Sequence, residues 1–162
     1  MVVISDTSCL VALAHIGELN LLNKTFNEIH IPVAVHKELL LLKEYEIDVS
    51  VFSASWIKIH QASNLPLVDQ LKEILDTGEA EAIALSLEME ADLLIIDEKK
   101  GREVAKSFSL NFTGIGGVLI RSKIKGLIPS VKDYLIRIRD ESGFYLSDKA
   151  IKVILEAAGE TL

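Results

Sequence analysis

The chain has 162 residues, enough for one domain with a substantial core. A hydrophobic content of 49% beside 25% charged residues excludes a disordered segment, and a single cysteine excludes an internal disulfide framework. The net charge of −7 excludes a protein that grips nucleic acid with its whole surface, but it allows a local basic patch or an acidic cluster that needs a cation.

The opening run Val2-Val3-Ile4 is β-branched, the pattern of a strand buried on both faces, and it ends in Ser5-Asp6-Thr7-Ser8 before a helical pattern begins near Cys9. The helical stretch is expected to reach about Phe26, interrupted or bent near Gly17. Glu28 to Ile31 reads as a strand closed by Pro32, which sits where a first helical turn tolerates it, and the helix from Val33 is expected to run to about Glu44. Asp48 to Ser55 is weakly patterned. Trp56 to His60 alternates like an edge or connecting strand, and Gln61 to Leu65 is a loop. Helices are expected from Pro66 to Asp76 and, after a break at Thr77-Gly78, from Glu79 to about Glu90. Leu93 to Ile96 is a second buried strand, and it too ends in a carboxylate, Asp97. Glu98 to Phe108 is helical, Leu110 to Thr113 strand-like and Val118 to Lys123 helical. The tail from Leu127 carries two amphipathic segments, Val131 to Arg139 and Asp148 to Ala158, separated by Ser142-Gly143-Phe144.

Alternating strands and helices predict an α/β fold, a three-layer α/β/α sandwich with a mainly parallel central sheet plus C-terminal helices. The expected division is residues 1–126 for the sheet domain and 127–162 for a helical extension packed on it. In that extension Ile136, Ile138, Ile151, Val153, Ile154 and Leu155 exceed the apolar surface two solvated helices need. They are expected to pack on the sheet domain and to contribute to a dimer or partner groove. No apolar run has the length of a membrane span, and the first residues enter a strand without a signal-peptide pattern, so a cytoplasmic protein is expected. Cys9, in an apolar stretch, reads as a core residue.

In parallel sheets, ligands bind beyond the carboxyl ends of the strands, where Asp6 and Asp97 are delivered. Each could equally cap the helix that follows it. Right-handed crossovers bring the helices carrying Glu38 and Glu79 toward the same edge, although Glu38 alone is an ordinary solvated residue and Glu79 alone an ordinary helix-start carboxylate. Clustered carboxylates raise one another's pKa unless a cation neutralises them, and hard oxygen donors suit Mg²⁺ or Mn²⁺. Thr7 and Ser8 could orient Asp6 or a metal-bound water, or cap the helix.

The motifs together resemble one family. Asp6-Thr7-Ser8, Ile31-Pro32-Val33-Ala34-Val35-His36-Lys37-Glu38-Leu39, Gly78-Glu79-Ala80-Glu81-Ala82-Ile83-Ala84-Leu85 and Ile95-Ile96-Asp97-Glu98-Lys99-Lys100-Gly101-Arg102 are similar, in this order, to the four acidic motifs of PIN-domain nucleases of the VapC-like branch. Thr113-Gly114-Ile115-Gly116-Gly117-Val118-Leu119 and Gly143-Phe144-Tyr145-Leu146-Ser147 also resemble that branch, so the resemblance spans the chain. It implies a metal-dependent ribonuclease, often the toxin of a toxin–antitoxin pair. Asp6, Glu38, Glu79 and Asp97 would then be catalytic and hold one or two Mg²⁺ or Mn²⁺ ions. The implied partners are an RNA substrate, an antitoxin protein and a second copy in a homodimer, with no membrane. Two departures stand out: Glu79 where many relatives carry Asp, and Glu98 where a second Asp is common.

Several readings compete at this level. Lys99, Lys100, Arg102, Lys106, Arg121, Lys123 and Lys125 could form a basic strip for an RNA backbone or a solvated face. Gly114, Gly116 and Gly117 read as a tight turn, since Leu119 breaks a dinucleotide fingerprint. His15, His30, His36 and His60 lie in different elements without metal spacing and read as structural or exposed. An aspartyl-phosphate phosphatase would show a second Asp where Ser8 stands. A non-catalytic PIN-like module that binds RNA or protein is the main alternative, which four intact carboxylates argue against. Finally, Glu79 and Glu81 lie about 200° apart on a regular helix, so at most one can face the site. Glu79, directly after Gly78 in the first turn, is the one expected there.

Overall fold

The computed structural model describes every residue except Glu46. Five parallel strands form one sheet: β1 (Val3–Ser5), β2 (Ile29–Pro32), β3 (Ile57–His60), β4 (Leu93–Ile95) and β5 (Phe112–Thr113), in the order β3-β2-β1-β4-β5. The order reverses between β1 and β4, which pair in parallel with Val3 opposite Leu93 and Ser5 opposite Ile95. That reversal opens the crevice where doubly wound sheets take their ligands.

Alternation along each buried strand builds the three layers. Val3, Leu93 and Ile95 point into one hydrophobic cluster, and Ile4, Leu94 and Ile96 into another on the opposite face. The first cluster is closed by α1 (Thr7–His15), α2 (Asn20–Phe26), α7 (Ile115–Ile124), α8 (Val131–Ser142) and α9 (Asp148–Ala157); α3 (Val33–Leu40) adds Val35 and Leu39. The second is closed by α5 (Thr77–Glu88), with α4 (Leu65–Leu71) and α6 (Lys99–Ser107) beside it. The fold is therefore α/β with an all-parallel sheet and helices on both faces.

Near Gly17 the helical stretch is interrupted, as one of the two expected outcomes, into two helices, because Gly17 takes φ +71°, a left-handed conformation that no helix continues through. Several boundaries differ from expectation, each for a local reason. The helix expected to reach Glu44 ends at Leu40 and tightens into 3₁₀ turns over Leu41–Tyr45. A second 3₁₀ stretch, Val49–Ser53, is started by Asp48, whose carboxylate accepts from Ser50 N–H at 3.0 Å. α4 stops at Leu71 rather than Asp76. Thr77-Gly78 is not a break but the first turn of α5. Gly114, Gly116 and Gly117 make no tight turn, since Gly114 caps α7 and the other two lie inside it. Gly116 is required there by packing: a Cβ would lie 2.6 Å from Ile154 of α9.

α8 packs against α1 and α7, and α9 against α7. Ile138, Ile151 and Leu155 are buried and Ile154 partly so, whereas Val153 is 57% exposed. Glu160 fastens the tail: its carboxylate accepts from Val131 N–H at 2.9 Å and Lys132 N–H at 3.1 Å, at the start of α8, and pairs with Lys123 at 2.8 Å. Burial alone would raise that carboxyl, yet Lys123 and the two N–H donors hold it down to about 2. His30 and His60, on neighbouring strands β2 and β3, share a hydrogen bond of 2.8 Å, a structural contact between the two strands. Among the described residues, no helix is long and apolar enough to cross a membrane.

Candidate active site

β1 ends at Ser5, and Asp6 follows with its N–H donated to Ile95 O at 3.0 Å, so the ends of β1 and β4 are stitched together at the crevice. Asp6 occupies the position before α1 yet makes no side-chain cap bond. It is 3% exposed, and its Oδ1 is buried without any partner. A carboxylate in that condition is costly to ionise. Burial first, then the neighbouring Asp97 and Asp76, push it up to about 7. Helix capping does not explain this residue.

Asp97 leaves β4 next door. Both its oxygens accept from Ile115 N–H, at 3.1 and 3.2 Å, at the positive start of α7. Arg102 reaches back from α6, donating Nε to Ile96 O at 2.9 Å and Nη2 to Asp97 Oδ1 at 3.3 Å. Burial raises the Asp97 carboxyl above its usual range, while Ile115 N–H and Arg102 limit the rise.

Glu38 projects from α3, where Thr7 Oγ1 donates to its Oε2. Thr7 thus orients Glu38, neither capping α1 nor touching Asp6. On its other side Glu38 rests on Gly78, where a Cβ would lie 2.6 Å from Oε1. The carboxyl is raised by burial, with Asp76 and Glu81 adding to the rise.

Glu79 is 6% exposed in the first turn of α5. Its N–H donates to Asp76 Oδ1 at 2.8 Å and its Oε1 accepts from Asp76 N–H at 3.4 Å, a capping box. That leaves Glu79 Oε2 buried with no partner, beside Gly101, where a Cβ would come within 3.0 Å of it. Burial, then Asp76 and Glu98, raise this carboxyl to about 8.

The four expected residues therefore share one corner of the sheet, but not as a single knot. Among the described residues, the carboxylates whose oxygens all lie within 4.8 Å of one another are Asp76, Glu79 and Glu98. Asp76 is the residue that sequence reasoning missed: its charge raises Asp6, Glu38 and Glu79 together. The spacing Asp76-Thr77-Gly78-Glu79 carries the capping-box signal, which reading Thr77-Gly78 as a break concealed.

Glu81 points elsewhere. Its Oε1 accepts from Ala34 N–H at 3.1 Å, satisfying an otherwise open donor in the first turn of α3, where Pro32 has no side chain to cap with. Glu81→Ala should therefore lower stability by about 1 kcal/mol, and Glu81→Gln, which keeps an acceptor, by less. Urea denaturation of the two variants checks the order.

The basic residues that could form a strip or a solvated face divide into engaged and exposed ones. Arg102 is turned onto Asp97, Lys123 onto Glu160 and Lys125 onto Thr25 O, which leaves Lys99, Lys100, Lys106 and Arg121 exposed. Cys9 is fully buried, and burial, then Asp97 and Asp6, raise its thiol well above the ordinary range, so it is no nucleophile. Beside Asp97, a groove of about 870 Å³ runs between Glu98, Arg102 and Gly114 on one wall and Phe144, Tyr145 and Lys149 on the other.

This donor set fits a divalent cation. It is all carboxylate oxygen, two of those oxygens are buried and unpartnered, and four of the carboxyls are raised above their usual range. A protein-family model described as DUF3368: PIN domain matches residues 2–160 of the chain. No curated protein matches it.

Proposed function

The chain belongs to the PIN-domain family, whose members are typically nucleases, and from this we propose that it is a metal-dependent endoribonuclease acting as the toxin of a toxin–antitoxin pair. The observation that carries the reading is the pair of unpartnered buried oxygens, Asp6 Oδ1 and Glu79 Oε2, in the corner that also holds the raised carboxyls of Glu38 and Asp97. Asp6, Glu38, Glu79 and Asp97 would hold one or two Mg²⁺ or Mn²⁺ ions, with Asp76 and Glu98 close enough to share the load. Bound there, such an ion offsets the carboxylate charge, polarises a phosphoryl oxygen and makes water acidic enough to serve as a nucleophile near neutral pH.

The protein's own residues prepare that site. Thr7 aims Glu38, Ile115 N–H and Arg102 fix the Asp97 rotamer, and the Asp76 cap fixes Glu79. Gly78 and Gly101 leave room for carboxylates that a Cβ would displace. Preorganised ligands of this kind need no rearrangement when substrate arrives. An antitoxin and a second copy of the chain are the protein partners this reading proposes.

Two measurements test it together. Millimolar Mn²⁺ or Mg²⁺ should raise the melting temperature by several degrees, since a ligand at a hundred times its dissociation constant stabilises by about 2.7 kcal/mol. Glu79→Gln should reduce both this rise and RNA cleavage by about a hundredfold in rate, whereas Glu81→Gln should leave cleavage nearly intact. A melting temperature indifferent to both metals, with no cleavage of any RNA, would leave the non-catalytic binding module as the better reading.

A further inference from the structure

The five residues joining α8 to α9 are held unusually firmly for an exposed connection. Gly143 turns the chain at φ +71°, Phe144 N–H donates to Ser142 Oγ at 3.1 Å, and Ser147 Oγ accepts from Ala150 N–H at 3.0 Å to start α9. Phe144 and Leu146 pack on the core, so the residue between them must point away from it. Tyr145 accordingly stands 85% exposed on a fixed backbone. It lines the same groove as Asp97 and Arg102, with the exposed Lys149 in the first turn of α9.

A chain of net charge −7 with a carboxylate cluster at its site attracts a polyanion poorly, so binding RNA there requires a contribution other than charge. Stacking of an unpaired base on an aromatic ring is such a contribution, and a base inside a duplex cannot offer its face. We propose that the groove holds a nucleotide of single-stranded RNA adjoining the cleaved phosphodiester, its base stacked on Tyr145 and its phosphate met by Lys149. The proposal rests on the nuclease reading for its location. The groove's volume suits one or two nucleotides. Asp97, Glu98, Arg102 and Lys149 line the groove together with Phe144 and Tyr145, so it offers aromatic surface to a base and a cation to its phosphate beside the carboxylate corner.

Binding is measured in an Asp6→Asn background with Mn²⁺, by anisotropy of a labelled single-stranded oligoribonucleotide and of its duplex. Tyr145→Ala should weaken the single strand roughly tenfold, Tyr145→Phe and Tyr145→Trp should stay within about twofold, and duplex affinity should not follow the ring. Because Tyr145 is solvent-exposed, the melting temperature should be unchanged in all three. Ring-dependent binding without cleavage by the wild type would uphold the groove and sink the nuclease reading. Cleavage by the wild type with Tyr145→Ala affinity unaltered would overturn the groove alone. Unaltered RNA affinity with loss of self-association instead would assign Tyr145 to a protein contact, and would equally overturn the proposal.

Discussion

Asp6→Asn should make the metal-free protein more stable while abolishing both metal-induced stabilisation and RNA cleavage. The folded-state pKa of Asp6, about 7 against an ordinary 3.8, fixes the sign. Between those values the folded chain keeps a proton that the unfolded chain has released. The stability contributed by the protonated carboxyl is therefore fully present below about pH 4 and is lost as the pH rises through 7. Glu79, raised to about 8, tilts the same way over a window that extends about one unit higher. Glu160 does not oppose them near neutrality, since its depressed value of about 2 gives stability that is lost only below the ordinary 4.5. His30 does oppose them below pH 6.5, because burial, then His60, lower its pKa and favour the neutral ring. Comparing wild type with Asp6→Asn cancels the His30 slope.

The difference in unfolding free energy should be small near pH 4 and reach on the order of 4 kcal/mol at pH 8, measured by urea denaturation in chelator. Saturating Mn²⁺ should reverse the order by stabilising the wild type alone. Cleavage should fall at least about a hundredfold. An Asp6→Asn protein that is less stable than wild type at pH 8 without metal, yet still stabilised by Mn²⁺, would make Asp6 an ordinary structural residue. This trade of stability for a charged, poorly solvated site is common where a protein must hold a cation.

Truncation after Gly126 should yield an insoluble or unfolded chain. Ile128, Val131, Leu135, Ile138, Ile151 and Leu155 are each 3% exposed or less, within the cluster that also holds Leu10, Leu13, Val118 and Leu119. Burying one such side chain contributes about 1.5–3 kcal/mol, so losing six exceeds or matches the 5–15 kcal/mol by which ordinary domains are stable. The remnant would also expose the apolar sides of α1 and α7. Leu135→Ala gives a graded version that should keep the fold and lose about 2–5 kcal/mol. Sedimentation and denaturation curves decide the matter, and a soluble monomer with an unshifted midpoint would mean that the helices are dispensable. Glu160 ties this tail to the rest of the domain, closing onto Lys123 of α7 and onto the first turn of α8.

Much of the site was legible as local pattern. Apolar runs stopping at Asp6 and Asp97 report strand ends directly, since a strand buried on both faces tolerates no carboxylate until it leaves the sheet. Helical geometry limited the site to one of Glu79 and Glu81, the place after Gly78 and the family-like spacing to Asp97 favoured Glu79, and Glu81 is turned to Ala34. Helix limits were less legible, because a 3₁₀ tightening at Leu41 depends on how the chain is pulled toward its next contact.

By itself, then, the sequence determined the alternation of strands and helices, the two buried faces of the sheet and the carboxylates that emerge from it. These depend on periodicity and capping within a few residues. Only the tertiary structure decided that β1 and β4 are neighbours, that Asp76 sits among three other carboxyls, and that Arg102 is held by Asp97 instead of waiting for RNA. The same holds for His30 against His60 and for the outward pose of Tyr145. Each joins residues through packing between elements, and the free energy of those contacts is set by the order in which the strands assemble, which no local period encodes.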